Sequence, residues 1–314
     1  MPDRSSIRAT TSRIAIRSST SRRAACASSE AGVAHDDTES PGPTRAGVIN
    51  KAPDYPIAAP RQSPIANPLA EYLLRLGDDR LVLGHRVSEW CGHGPILEED
   101  IALSNIALDL IGHAQSILAL AGTVEGQGRD EDALAYFRDG TAFRNALLVE
   151  QPNGDFAVTM VRQFLFDAYS VLLWDQLSRC AHESLAAIAA KSLKEDKYHL
   201  RHSSEWVVRL GDGTDESHAR TQSALEALWR FTGELFDRDA VDDAVAQQGI
   251  AVDHAAIRSL WDTMVNDVLQ RATLARPADG VMRRGGRQGR HTESLGHMLA
   301  TMQSVARAHP GATW

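Results

Sequence analysis

Residues 195–202, EDKYHLRH, put two carboxylates and two imidazoles on one short stretch of chain. On a helix, Glu195, His199 and His202 lie within about 40° of one another, alongside Ile188 and Trp206. A carboxylate and an imidazole sharing a core-facing stripe are what a bundle metal site takes from one helix, and at positions i and i+3 both reach the same ion. Three further acids stand alone in apolar stretches. Asp109 shares a polar line with Asn105, Gly112, His113 and Ser116; Asp167 is flanked by Met160, Gln163, Val171 and Trp174; Glu89 has Val82, His85 and His93 on its face. Unpaired buried carboxylates cost several kcal/mol each or become neutral, so a shared cation is the natural partner for four of them. Carboxylate-bridged di-iron bundles use one Glu from each of two helices and Glu-x-x-His from the other two.

The spacing departs from that pattern. Three residues after Asp109 stands Gly112, with His113 one place late; three after Glu195 stands Tyr198, with His199 one place late. The correctly spaced pair, Asp196-x-x-His199, starts from a residue about 100° round the helix from Glu195. Glu89, Asp109, Gly112, Asp167, Glu195, Tyr198 and His199 therefore read as degenerate di-iron-like positions, with no metal and no catalytic residue expected. On this reading His199 and His202 bond to nearby acids in the core or at an interface between subunits, and Asp109 and Asp167 join a buried polar network. The alternative is a metal enzyme in its own right, using Glu89, Asp109, Asp167, Glu195 and His199. A ferritin-type storage or electron-relay protein is a third reading, disfavoured because two Glu-x-x-His pairs are lacking.

Long helices must position these groups. Asn67 and Pro68 suit an N-cap and first helical position, and the pattern predicts a helix to about Cys91. A second helix is expected from near Ile96 to the Ala-Gly at 121–122, apolar on nearly every side and hence buried. A short helix near 130–138 and a segment at 141–150 follow. Asp155 can cap a helix over 156–180, Ser184 one ending at the Gly-Asp-Gly of 211–213, and Thr214 one reaching about Phe236. Helices over 253–273 and 291–308 are separated by RRGGRQGRH, expected to be a solvated loop or a partner contact. Alternating strand patterns are missing, so the fold class is an all-α bundle, one domain with additional C-terminal helices.

The net charge is -8 over 314 residues, yet residues 1–29 hold six arginines against Asp3 alone, so the body is strongly acidic. An acidic body lacks the basic face that phosphate backbones require, which argues against nucleic acid as a partner. No uncharged apolar run of eighteen residues occurs, so no membrane span is expected. Cys26, Cys91 and Cys180 form no CxxC; Cys91 and Cys180 are expected to be small buried apolar residues. Residues 1–66 are rich in Ser, Arg and Pro and lack hydrophobic periodicity. They read as a disordered extension or an upstream start of the frame, with an organelle transit peptide as the alternative.

The strings LGDDRLVLGHRVSEWCGHGPILEED, VEQPNGDFAVTMVRQFLFDAY, KYHLRHSSEWVVRLGDGTDES and GGRQGRHTESLGHMLATMQ resemble the C-subunit family (PaaC) of bacterial phenylacetyl-CoA epoxidases, over roughly residues 68–314. The resemblance implies a ferritin-like bundle that pairs with an oxygenase A subunit. It implies no cofactor in this chain and a di-iron centre in the A subunit. A small B subunit and a reductase carrying flavin (FMN or FAD type) and an iron–sulfur centre, fed by NADPH, complete the assembly. The implied setting is the bacterial cytosol and the implied reaction is epoxidation of the aromatic ring of phenylacetyl-CoA.

Overall fold

The computed structural model of the chain describes residues 67–312; the Ser/Arg/Pro-rich extension and Cys26 lie outside them. Ten α-helices follow in order: α1 (Pro68–Ser88), α2 (Leu97–Glu125), α3 (Glu131–Tyr136), α4 (Phe156–Leu177), α5 (Glu183–Gly211), α6 (Asp215–Trp229), α7 (Ala240–Ala246), α8 (His254–Arg271), α9 (Glu293–Met302) and α10 (Ser304–Ala308). Among the described residues there is no strand. The bundle is built from two closely packed pairs, α1 with α2 and α4 with α5, and α6 and α8 cover the outer side of α4.

Caps account for most of the boundaries. Asn67 accepts from Ala70 N at 3.2 Å and donates from Nδ2 to Val124 O at 2.9 Å, tying the start of α1 to the end of α2. Asp155 and Thr214 cap α4 and α6 as expected. Helix α5 instead begins two residues earlier than a cap at Ser184 would set, with His182 Nδ1 accepting from Leu185 N at 3.3 Å. Helix α2 runs past Gly122 to Glu125, because Gly122 is a packing residue rather than a stop. A Cβ there would stand 2.1 Å from Arg129 O, and Gly126 takes the left-handed conformation instead, at φ 71°.

Helix α6 ends at Trp229 rather than near Phe236, and a 3-10 turn at Gly233–Phe236 follows. There the Glu234 carboxylate accepts from the backbone N–H of Leu147 at 2.9 Å and of Gly285 at 2.8 Å, so the chain leaves the helix to deliver it. Helix α7, unforeseen in the sequence, starts at an Asp239–Asp242 capping box. The expected helix over 291–308 is broken at Gln303, whose amide donates to Ala135 O and Arg138 O at 3.1 and 2.9 Å. The RRGGRQGRH loop is packed rather than solvated: Gly286 lies against Asn145 O, Arg287 pairs with Asp79 at 2.9 Å, and His291 with Glu150 at 2.7 Å.

Helices α2 and α4 each have the length and mean hydropathy of a membrane span, which the criterion of uncharged runs did not register. Their environments differ. Helix α4 is the central helix of the core, with Phe164, Leu165, Phe166 and Trp174 at 1% exposure or less. Helix α2 is buried along only half of its most apolar window and leaves Leu97, Ile101 and Leu108 exposed. The expectation that its all-round apolarity means full burial therefore fails on one face.

Candidate functional site

Between the two helix pairs lies a polar centre. Helix α1 contributes Arg80, α2 Asp109 and His113, α4 Asp167 and Ser170, and α5 Asp196, His199 and Ser203. Arg80 is completely buried, with Nη2 donating to Ser170 Oγ at 2.7 Å, and its guanidinium lies over the rings of Trp174 and Phe166, 4.3 and 5.1 Å from their centroids. Ser170 Oγ in turn donates to Asp196 Oδ2 at 2.5 Å. The other Asp196 oxygen faces two imidazoles, His199 Nδ1 at 3.3 Å and His113 Nδ1 at 3.7 Å. Each imidazole reaches outward to an acid from the facing helix: His199 Nε2 is 3.1 Å from Asp109, and His113 Nε2 is 2.5 Å from Glu195. Beside them Asp167 accepts from Gln163 Nε2 and Ser203 Oγ, both at 2.7 Å.

The two histidines titrate differently. Burial pulls His199 down, but hydrogen bonds to Asp109 and Asp196 and the charges of Asp196 and Asp167 outweigh it and lift the ring to about 10. Burial dominates at His113 and holds it below its ordinary value, although Asp196 and Glu195 pull the other way. Near neutral pH His199 is thus a cation and His113 a neutral ring whose Nε2–H donates to Glu195. Burial raises Asp167 to about 7 against the charge of His199. Asp196 ends below its ordinary value, because His199, His113 and Arg80 together outweigh its burial.

One expected member is absent from this centre and another lies at its edge. Glu89 follows the last turn of α1, its side chain 43% exposed, and pairs with Arg86 at 2.8 Å. The cause is the end of α1 at Ser88, which turns that residue out of the bundle. Glu195 is 30% exposed against 1% for Asp196, so the inward acid of α5 is its neighbour. Tyr198 is exposed, and Gly112 faces open space. Asp109, Asp167 and His199 do meet near the centre, and His202 pairs with Glu99 at 2.8 Å. Cys91 is exposed and Cys180 half-buried, so neither is the core residue expected.

The model of the phenylacetic acid catabolic protein family matches residues 57–314. The chain belongs to that family. It is also 51% identical over 248 residues to the C subunit of 1,2-phenylacetyl-CoA epoxidase from Escherichia coli (strain K12), a match covering 79% of this chain and 100% of that protein. The all-α architecture and the ferritin-like resemblance agree with membership of the phenylacetic acid catabolic family.

In this family member the donor set does not fit a di-iron centre. The α1 side chain bonded into the centre is a guanidinium, Arg80, and the residue three after Asp109 is Gly112, which has no donor atom. Among the described residues no three His, Cys, Asp or Glu side chains are grouped so as to hold a metal ion. The fixed guanidinium of Arg80, bonded through Ser170 to Asp196, also repels an incoming cation. The arrangement can hold charge in register and share protons between acids and imidazoles.

Sequence reasoning missed Asp78, Asp79 and Arg80 because it followed acids that stand alone, and these three charges stand together. All three are fully buried. Asp78 pairs with Arg138 and accepts from Arg144 N at 2.8 Å, and Asp79 accepts from Ala146 N at 2.7 Å and pairs with Arg287. A usable signal was present: consecutive residues turn about 100° each, so a run flanked by Leu73, Leu76, Leu83 and Val87 must send at least one charge inward.

Proposed function

We propose that this chain is a supporting, non-catalytic subunit of a phenylacetyl-CoA epoxidase assembly. It docks on the oxygenase A subunit, which holds the di-iron centre, and works in the cytosol with the small B subunit and the NADPH-fed flavin and iron–sulfur reductase. The observation that supports the reading is the buried Arg80: the polar centre carries the protein's own fixed cation, bonded through Ser170 to Asp196. The centre then serves to lock α1, α4 and α5 in register. The unburied apolar face of α2 supports an assembled rather than solitary existence, since exposed contiguous apolar surface marks association.

Co-expression with the oxygenase subunit tests this. Soluble, active complex is expected only when this chain is present, and the chain alone should neither turn over substrate nor oxidise NADPH. Ring epoxidation by the purified chain with the reductase, or full activity of the complex without it, would remove the supporting role.

A further inference from the structure

Away from the polar centre, the glycine–arginine loop at 283–291 closes one wall of a cavity of about 370 Å³. Helices α1 and α4, the Gly233–Phe236 turn and the starts of α7 and α8 form the rest. Tyr72, Leu76, Tyr169 and Leu235 give it an apolar wall; four acids and five arginines, with His254, supply polar groups.

The acids are committed. Asp237 takes Arg284 Nε at 2.5 Å and Nη2 at 3.1 Å, and Asp239 takes both Nη atoms of Arg75 at 3.0 and 2.7 Å. Glu234 holds backbone N–H groups, and Asp242 accepts from Asp239 N at 3.0 Å. Arg238 pairs with Asp243 and Arg287 with Asp79. What remains uncommitted can donate. The Tyr72 side chain is 4% exposed, and its hydroxyl has no hydrogen-bond partner among the described residues. His254 pairs through Nε2 with Asp242 at 3.4 Å, and its buried Nδ1 has no hydrogen bond. Arg290, exposed at the rim, is paired with no acid among the described residues.

A buried hydroxyl without a partner costs about 1–3 kcal/mol, so a site that keeps one has capacity for an acceptor. Spare donors beside an apolar wall are the mark of a small-molecule pocket. One unpaired guanidinium suits a monoanion, because the flanking Asp237, Asp239 and Asp242 disfavour a phosphate dianion, and a phosphate would leave the tyrosine and leucine wall unused. We propose that this cavity binds a small carboxylate with an apolar body, its carboxylate held by the Tyr72 hydroxyl and the Arg290 guanidinium and its body against Leu76, Tyr169 and Leu235. The proposal is independent of the supporting-subunit reading, since the cavity lies wholly within this chain.

Isothermal titration of the full chain, alone and in complex with its partner, tests it with benzoate, inorganic phosphate and benzyl alcohol as probes. Saturable one-to-one binding of benzoate is expected, with phosphate and benzyl alcohol at least about tenfold weaker. Arg290→Gln and Tyr72→Phe should each weaken benzoate by about tenfold or more. Arg290 is exposed, so its variant keeps the test open if Tyr72→Phe does not fold. No benzoate binding at millimolar concentration, equal binding of benzyl alcohol, tighter binding of phosphate, or unchanged affinity in Arg290→Gln would each overturn the proposal.

Discussion

At Asp196, one carboxylate is shared by a serine bridged to a guanidinium and by two imidazoles of unlike charge, and this sharing decides how the centre responds to pH. The folded His199 sits at about 10, above its ordinary 6.5. Its contribution to stability is therefore complete below about pH 6.5 and is lost as the pH rises through about 10. Asp167 acts in the same direction over a lower window: raised from 3.8 to about 7, it binds its proton more tightly when folded, so stability falls as the pH rises between those values. Asp196 opposes both only in acid, below its ordinary range. Thermal midpoints measured from pH 5 to pH 9 should fall steadily, and Asp167→Asn should remove the part between pH 5 and 8, melting a few degrees above the wild type at pH 8. An unchanged pH profile in Asp167→Asn would show that its burial carries no charge penalty. Arg80→Met should cost about 3–5 kcal/mol, because it strands Asp196 and Ser170 in the core; an equilibrium denaturant curve reads this directly. An Arg80→Met loss below about 1 kcal/mol would mean that the guanidinium does not anchor the centre.

Helix α2 is the element whose chemistry and burial disagree. Its inner face packs on α1 through Leu103, Ile106, Leu110 and Ile117, all at 1% exposure or less, whereas Leu97, Ile101 and Leu108 stand 72%, 53% and 67% exposed. Ile101→Glu with Leu108→Glu should leave the melting of the isolated chain within about 0.5 kcal/mol per site, since neither side chain is in the core. The same double variant should weaken co-purification with the oxygenase subunit proposed as its partner; undiminished complex formation would move the contact to another face. Its glycines divide in the same way. Gly112→Ala meets nothing within 4 Å and should stabilise the chain by about 0.5–1 kcal/mol, the usual gain in a helix interior. Gly122→Ala would drive a methyl group into Arg129 O and should cost several kcal/mol. Urea midpoints of the two variants displaced in opposite directions are the expected result.

Over the whole molecule, periodicity and caps made the long helices legible: Asn67, Asp155 and Thr214 cap where their side-chain chemistry says they should. The short elements were not legible, because long-range hydrogen bonds set them. Glu234 ends up bound to a loop 51 residues away, and Gln303 breaks the last helix to reach Arg138 O. In the candidate site, Asp109, Asp167 and His199 were found from isolated polarity, whereas Glu89 lies outside it and Glu195 stands at its edge, with Asp196 as the buried acid. A projection at 100° per residue cannot say where a helix stops, nor which of two adjacent acids the neighbouring helix covers. Arg80 escaped because only acids were sought in the core. It is also the residue on which the account turns: the charge that balances the buried acids belongs to the protein. Iron analysis of the purified chain after anaerobic reconstitution with ferrous iron and desalting tests this most directly. The account predicts well under one iron per chain, with no difference between wild type and His199→Ala; about two irons per chain, lost in His199→Ala, would contradict it.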